Sequence, residues 1–466
     1  MKTVINNLFS YCFKISIGLL IVLIGGMLFY YYAYPFYSND SGFYLNIVRD
    51  LGLGNKYFVD INIGYTPLAI FTMGLPYFLF GVKGKLGALF INHLCVFLSS
   101  LIIYRLAIKF EKTKTISLFF SFLFSALMLY YDGRFVVLEP VTVLLQLSSL
   151  YFLLKYNGYN VINIFFAGIF LSLAFLSKQY ALFLIPCFIY WLLICPNSIR
   201  GLIYIIAGGL LPITIFYFYF ENLSILEYLK HLLAQRVYLE FGTGTGKEYT
   251  PFGIPWLKLK KLLLINFYIF FVLINVKKWK TDYKTIFFFA SLPIASLSIL
   301  YFAAYEHYYQ LIIPYFIIFV IYLIPVGNFS NVKKVFVMLI ISISLFTLSR
   351  RIYNNVLTHK QMFLKQAKDI KTVRKNIPEG TEVFLSGLSP AYYHLGNFKS
   401  INLKKIGYGF HSYYSPETIT SLMRKFAVIV VNEEYLLKYE LLKNNFYPPV
   451  QINLNNEIFY ILKKNN

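Results

Sequence analysis

The stretch "TPLAIFTMGLPYFLFGV", residues 66–82, is apolar enough to enter a bilayer, and whether it crosses decides on which side every later loop lies. A crossing would put "RLAIKFEKTK" (105–114) and "KKWKTDYK" (277–284) outside, against the bias that keeps Lys and Arg of short loops on the inner side. Without a crossing both fall inside, along with Lys155, Arg200, Lys333 and Lys334. Pro67, Gly74 and Pro76 also weaken a continuous helix. The segment is therefore expected to be an interfacial or re-entrant piece of an external loop covering 35–85.

The whole chain is built to sit in lipid. Its 466 residues are 58% hydrophobic and 14% charged, with a mean hydropathy of +0.62; soluble domains are about a quarter charged. The expected fold class is a polytopic α-helical membrane protein. About 11 transmembrane helices are expected, near 14–34, 86–105, 115–131, 139–154, 161–177, 180–195, 202–220, 260–276, 285–304, 309–325 and 334–349. The net charge of +23 comes from Lys and Arg gathered in the loops between these runs. No basic stripe with interleaved aromatics lies elsewhere, so nucleic acid is not an expected partner.

The four cysteines, Cys12, Cys95, Cys187 and Cys195, lie in or beside apolar runs without metal or disulfide spacing. The basic lead "MKTVINNLFSYCFK" precedes an apolar run with no cleavage site, which reads as an uncleaved first span. The richness in Lys, Asn, Ile, Phe and Tyr is typical of an AT-rich genome and hints at a bacterium.

With the first residues inside, loop 35–85, loop 132–138, loop 221–259 and everything after about 350 reach the outer side. The expected domains are a membrane domain over 1–350 and an external α/β domain over 351–466. In the latter "TEVFLSG", "FAVIVVN" and "EIFYILKK" read as strands, and "SPETITSLMRK" as a capped helix. The glycines of "FGTGTGKEY" (241–249) do not make a phosphate loop, because Phe241 and Glu248 replace its required Gly and Ser/Thr. They suit a lid instead.

Ionisable groups at span ends supply the candidate chemistry. Asp40, with Asp50 and Asp60, lies in the first external loop. "DGRFVVLEP" carries Asp132, Arg134 and Glu139, "LAFLSKQYAL" carries Lys178 and Gln179, and "YEHYYQLIIP" carries Glu306, His307 and Gln310. Lys178 is the one lysine that breaks the inside bias. Such groups are costly at membrane depth unless they face a polar cavity, and all four clusters fall on the outer side. Two carboxylates, a lysine and a histidine on one cavity suit transfer of a sugar from a lipid phosphate. Lys178 and His307 would bind the phosphate, and Asp40 would take the proton of an incoming hydroxyl.

Four motifs give this reading a family. "NDSGFYLNIVRDLGLGNKYFVDINIGYTPL", "GRFVVLEPVTVLL", "GIFLSLAFLSKQYALFLIP" and "HYYQLIIP" resemble, in order and spacing, elements of C-fold glycosyltransferases of the protein-mannosyltransferase and aminoarabinose-transferase kind. The resemblance implies a polyprenyl-phosphate sugar donor, a lipid, glycan or protein acceptor, and a place in the cytoplasmic membrane with the C-terminal domain outside. It puts Asp40 at the catalytic acid position and Glu139 at the second acidic position. Glu139 then either assists Asp40 or joins it in holding a divalent metal, the one cofactor left open. Lys178 and His307 fall where the lipid phosphate is handled, and Arg134, Gln310 and Tyr65 complete the expected binding set. Two departures stand out: Ser41 replaces the usual Glu after Asp40, and Tyr65-Thr66-Pro67 replaces Lys-Pro-Pro. The alternatives to a transferase are a lipid-sugar flippase or transporter, which should place charges mid-span and on both sides, and a polysaccharide polymerase using loop 221–259.

Overall fold

The computed structural model describes residues 2–52, 54, 56–58, 66–80, 85–156, 159–220, 223–233, 282–299, 308–324, 330–385, 391–398, 428–432, 449–454 and 457–464. The span expected near 260–276, most of loop 221–259, the "SPETITSLMRK" helix, and Asp60, Tyr65, Glu306 and His307 lie outside them.

The described chain is mostly helical. Its helices are α1 (Lys2–Ala33), α2 (Asn39–Gly52), α3 (Leu68–Phe80), α4 (Lys85–Lys109), α5 (Lys114–Tyr130), α6 (Glu139–Lys155) and α7 (Val161–Ser177). A 3-10 turn (Gln179–Leu184) follows, then α8 (Ile185–Ile194), α9 (Ser198–Tyr219), α10 (Ile225–Leu233), α11 (Tyr283–Leu297), α12 (Tyr309–Leu323) and α13 (Asn331–Asn376). Helices thus occupy the stretches expected from hydropathy, 260–276 apart. By length and composition four of them can cross a membrane: Thr3–Ala33, Leu86–Lys109, Ser198–Tyr219 and Asn331–Asn376. The other apolar helices have 17 residues or fewer.

Contacts sort the helix ends into two groups. At one end Lys112 Nζ donates to the Ile324 carbonyl, Tyr322 to Asp282, Lys334 to Asn6, and Tyr156 to the Asn197 carbonyl. This end gathers the basic loops assigned to the inner side. At the other end lie α2, α3, the 131–138 loop and the start of α6. α3 keeps to this second end. Its Phe71 packs on Phe216 and Tyr219 at the end of α9. Its Pro76 meets Gly87 in the first turn of α4, where a Cβ would come within 2.4 Å of the proline ring.

Packing between α7 and α9 is closest where both are glycine. A Cβ on Gly168 or on Gly208 would lie 2.1 Å from a carbonyl oxygen of the facing helix. The absent side chains let the two backbones touch, as small residues do between membrane helices.

α13 has 46 residues, and at about 1.5 Å each it is roughly twice as long as a bilayer core is thick. It runs without a break across the expected boundary at 350 and ends at a small sheet. The strands are β1 (Val383–Leu385), β2 (Val428–Asn432), β3 (Val450–Leu454) and β4 (Glu457–Lys463), with a short α14 (Ala391–Gly396) after β1. Their order is β1-β2-β4-β3, with β1 parallel to β2 and the other pairs antiparallel. β3 has no counterpart in the sequence reading, which passed over the short run "VQINL" although Pro448 and Pro449 mark a break just before it.

Two apolar cores result. One fills the helix bundle, from Phe13 and Phe124 to Tyr315 and Ile341. The second joins α2 and α3 to the C-terminal region, with Tyr44, Val48 and Met73 packed in the same cluster as Val373, Leu385, Tyr392 and Phe459. The tail and the first loop therefore share one core, and that core sets where α2 lies.

Candidate active site at the sheet end of the bundle

Helix polarity explains the first part of the site. Glu139 opens α6 and Lys178 directly follows α7, its antiparallel neighbour. A carboxylate is favoured at a helix N-terminus and a cation at a C-terminus. Both side chains are almost wholly buried, 1% and 2% exposed, and they form an ion pair from Nζ to Oε1. The Lys178 ammonium also lies over the ring of Tyr308, 4.2 Å from its centre, with Tyr180 at 5.7 Å. Tyr180 and Tyr308 pack edge to face at 5.1 Å. Burial opposes the charge on Lys178; Glu139, and more weakly Asp40, favour it. Asp40 therefore lies within electrostatic reach of the pair.

Asp40 sits, half-buried, in the first turn of α2. Ser38 caps that helix, its Oγ accepting the Ser41 N–H at 3.2 Å. Ser41 itself is fully buried and turns towards the 131–138 loop. Its Oγ accepts the Val136 N–H at 3.0 Å and approaches the Val136 carbonyl at 3.4 Å. Ser41 thus ties α2 to the loop leading into Glu139.

Two α4 side chains hold the same loop. Asn92 Nδ2 donates to the carbonyls of Val137, at 2.9 Å, and Phe135, at 3.3 Å. His93 pairs its Nε2 with the Gly133 carbonyl at 2.7 Å and its Nδ1 with the Tyr32 hydroxyl at 3.1 Å. Gly133 has no alternative residue, since a Cβ there would lie 2.5 Å from Leu129 Cα. The sequence reading did not single out Asn92 or His93, although two adjacent polar residues inside an apolar helix were the available signal.

Two of the expected residues are engaged by other parts of the fold. Gln310 does not face the pair as a phosphate donor: its Nε2 donates to the carbonyls of Met128 and Tyr131, fastening the start of α12 to the end of α5. What remains, Oε1, can only accept and would repel an anion. Arg134 is turned towards α13, donating from Nη1 to Asn355 Oδ1, with Asp132 3.8 Å from Nη2 and the Phe135 ring 4.5 Å below. Asp50 belongs elsewhere too, beside Arg49. Of the expected set, Glu139 and Lys178 are paired and Asp40 lies within electrostatic reach of them, while Tyr65 and His307 lie outside the described residues.

A divalent metal does not fit this arrangement. Glu139 is engaged by a lysine ammonium, whose charge also answers Asp40, and a cation between the two carboxylates would have to displace it.

Residues 65–219 match the family model described as dolichyl-phosphate-mannose-protein mannosyltransferase. No curated protein matches the sequence. Among solved structures, ArnT from Cupriavidus metallidurans bound to undecaprenyl phosphate superimposes with a TM-score of 0.55 at 11% identity, over 96% of this chain and 98% of that one. Its apo form gives the same TM-score at 12% identity, over 96% and 97%. The chain has the ArnT fold. The resemblance to C-fold glycosyltransferases seen in four short motifs is thus repeated by a family match and by an ArnT-like architecture along nearly the whole chain. The family match supports a glycosyltransferase, and it covers Glu139 and Lys178 but not Asp40.

Proposed function

We propose that this protein moves a sugar from a polyprenyl-phosphate donor to an acceptor hydroxyl at the outer face of a bacterial cytoplasmic membrane. The observation that carries the reading is the buried Lys178–Glu139 pair at the sheet end, with Asp40 in reach of it. An ion pair buried at the end of an apolar bundle is weak as a stabilising device, because desolvation offsets most of the attraction. It suits the handling of a charged ligand arriving through the membrane plane.

In the proposed reaction the acceptor oxygen forms a bond to the anomeric carbon as the bond from that carbon to the phosphate oxygen breaks. The electron pair leaves with the lipid phosphate, which Lys178 stabilises, and the acceptor proton passes to Asp40 as general base. Glu139 holds the ammonium of Lys178 in place. His307 and Tyr65 are proposed as further contacts to the donor. The undecaprenyl phosphate in the ArnT structure makes that lipid the first carrier to test.

The test incubates purified full-length protein with a panel of radiolabelled undecaprenyl-phosphate sugars and measures transfer or release of sugar. Asp40→Asn should lower the rate about 10²–10⁴-fold, with thermal stability near that of the natural chain. A variant retaining more than about a tenth of the rate would end the assignment of the base. Turnover of no donor by the natural chain would end the wider reading.

A further inference from the structure

α2 carries Asp40 in its first turn and Arg49 in its last, and the tail grips the helix near both places. Just before α2, Gln366 of α13 makes two bonds to a single residue. Its Nε2 donates to the Tyr37 carbonyl at 2.9 Å, and its Oε1 accepts the Tyr37 N–H at 3.2 Å. This is the pairing that a neighbouring β-strand would give, supplied here by one amide side chain. Tyr37 and Gln366 are both buried, 4% and 8% exposed. Towards the end of α2, Arg49 Nη1 donates to the Phe398 carbonyl at 2.7 Å and reaches the Tyr393 carbonyl at 3.5 Å. Asp369, three residues after Gln366, accepts the Tyr392 hydroxyl at 3.2 Å, so α13 and α14 hold each other as they hold α2.

Tyr37 is three residues ahead of Asp40, and the chain between them holds the Ser38 cap. Fixing the Tyr37 backbone therefore fixes where α2 starts and where its first carboxylate lies. We infer that Gln366 is a positioning residue for Asp40, through which the C-terminal region sets the geometry of sugar transfer. The inference rests on the proposed role of Asp40. A general base works only within hydrogen-bond reach of its proton, and a shift of about 1 Å can cost about 10²-fold in rate. Gln366 touches neither donor nor acceptor in this scheme, so its effect falls on kcat rather than on donor affinity.

Gln366→Leu keeps the volume and removes both bonds. In full-length protein assayed with a radiolabelled undecaprenyl-phosphate sugar, it should lower kcat about 10- to 100-fold while KM for the donor stays within about two-fold. Deuterium exchange at residues 37–45 should quicken alongside. Should the leucine variant fail to fold, Gln366→Glu takes its place. An ionised carboxylate can accept from the Tyr37 N–H but opposes the Tyr37 carbonyl, whereas a protonated one restores both bonds. Its kcat relative to the natural chain should therefore rise as pH falls from about 8 to about 5, nearing the ordinary glutamate range. Asp40→Asn run in parallel separates the two levels. If that variant is inactive while Gln366→Leu keeps the natural kcat, or Gln366→Glu shows a flat pH ratio, the positioning role is overturned and the base assignment stands. If Asp40→Asn stays active, both fall together.

Discussion

Among the described residues, two buried ion pairs are built in opposite ways. Arg49 and Asp50 are neighbours on one helix, 3.3 Å apart, and the guanidinium gives its other contacts to the carbonyls of Tyr393 and Phe398. Both carbonyls belong to the C-terminal region. Lys178 and Glu139 stand on different helices, 39 residues apart, with a tyrosine ring against the ammonium and a second carboxylate in electrostatic reach. The first pair fastens the tail to α2. The second collects charge at the end of an apolar bundle, where nothing about folding requires charge. Burial alone does not distinguish a clasp from a site; what else the charged atoms touch does.

The sharpest way to break this distinction removes the second pair. Lys178→Met should abolish detectable transfer and also lower stability by about 3–5 kcal/mol, because Glu139 is left charged and buried. Glu139→Leu should do the same in reverse. The double variant Lys178→Met/Glu139→Leu has an apolar, volume-matched interior and should recover most of the lost stability while remaining inactive. Thermal unfolding and donor turnover measured on the three chains decide the matter. Recovered activity in the double variant would make Lys178–Glu139 a clasp like the other pair.

A smaller effect is expected at Arg49. Arg49→Lys keeps a charge beside Asp50 but loses the planar fork that reaches two carbonyls of the α14 loop. The expected cost is about 1.5–3 kcal/mol, the range for hydrogen bonds to charged groups, together with earlier proteolysis of residues after 376. A full loss of turnover with unchanged stability would move Arg49 from the clasp to the site.

The comparison also shows what the sequence could convey. The helix stretches were legible because apolar runs about 17–25 residues long have few other meanings. Lys178 was legible because it stands between two apolar runs on the side where short loops are expected to carry few basic residues, and Glu139 because it opened a span. Asp40 stood out for its scarcity among so many basic residues. Arg49 and Gln366 were not legible. Each is an ordinary polar residue in a mixed stretch, and its partner is a backbone carbonyl more than 300 positions away. Gln310 misled for a related reason, as a polar residue at a helix start suits a ligand and a neighbouring helix end equally well. The continuous α13 was hidden because its sequence turns from apolar to charged at 350 without any helix breaker until Pro378.

Ser41 gives the smallest and most discriminating test. It lies beside Asp40 on the same helix that Arg49 fastens, and the resemblance to C-fold glycosyltransferases implies a second carboxylate at its position. Its hydroxyl joins the Val136 N–H and the Ser38 side chain, with no solvent exposure. If the first turn of α2 is fastened in the way its last turn is, Ser41→Ala should cost about 1 kcal/mol, the usual value of one such bond. Turnover should then fall only a few-fold, since the loop before Glu139 loosens without losing a charge. Ser41→Glu separates the readings further. A carboxylate in that fully buried place would lose its hydration next to Asp40, so both stability and turnover should drop below those of Ser41→Ala. A rise in turnover on Ser41→Glu would mean that the first turn is open to ligand and that serine marks a weakened catalytic position. Comparing the alanine and glutamate variants for unfolding temperature and initial rate thus tells whether the fold or the chemistry governs this turn.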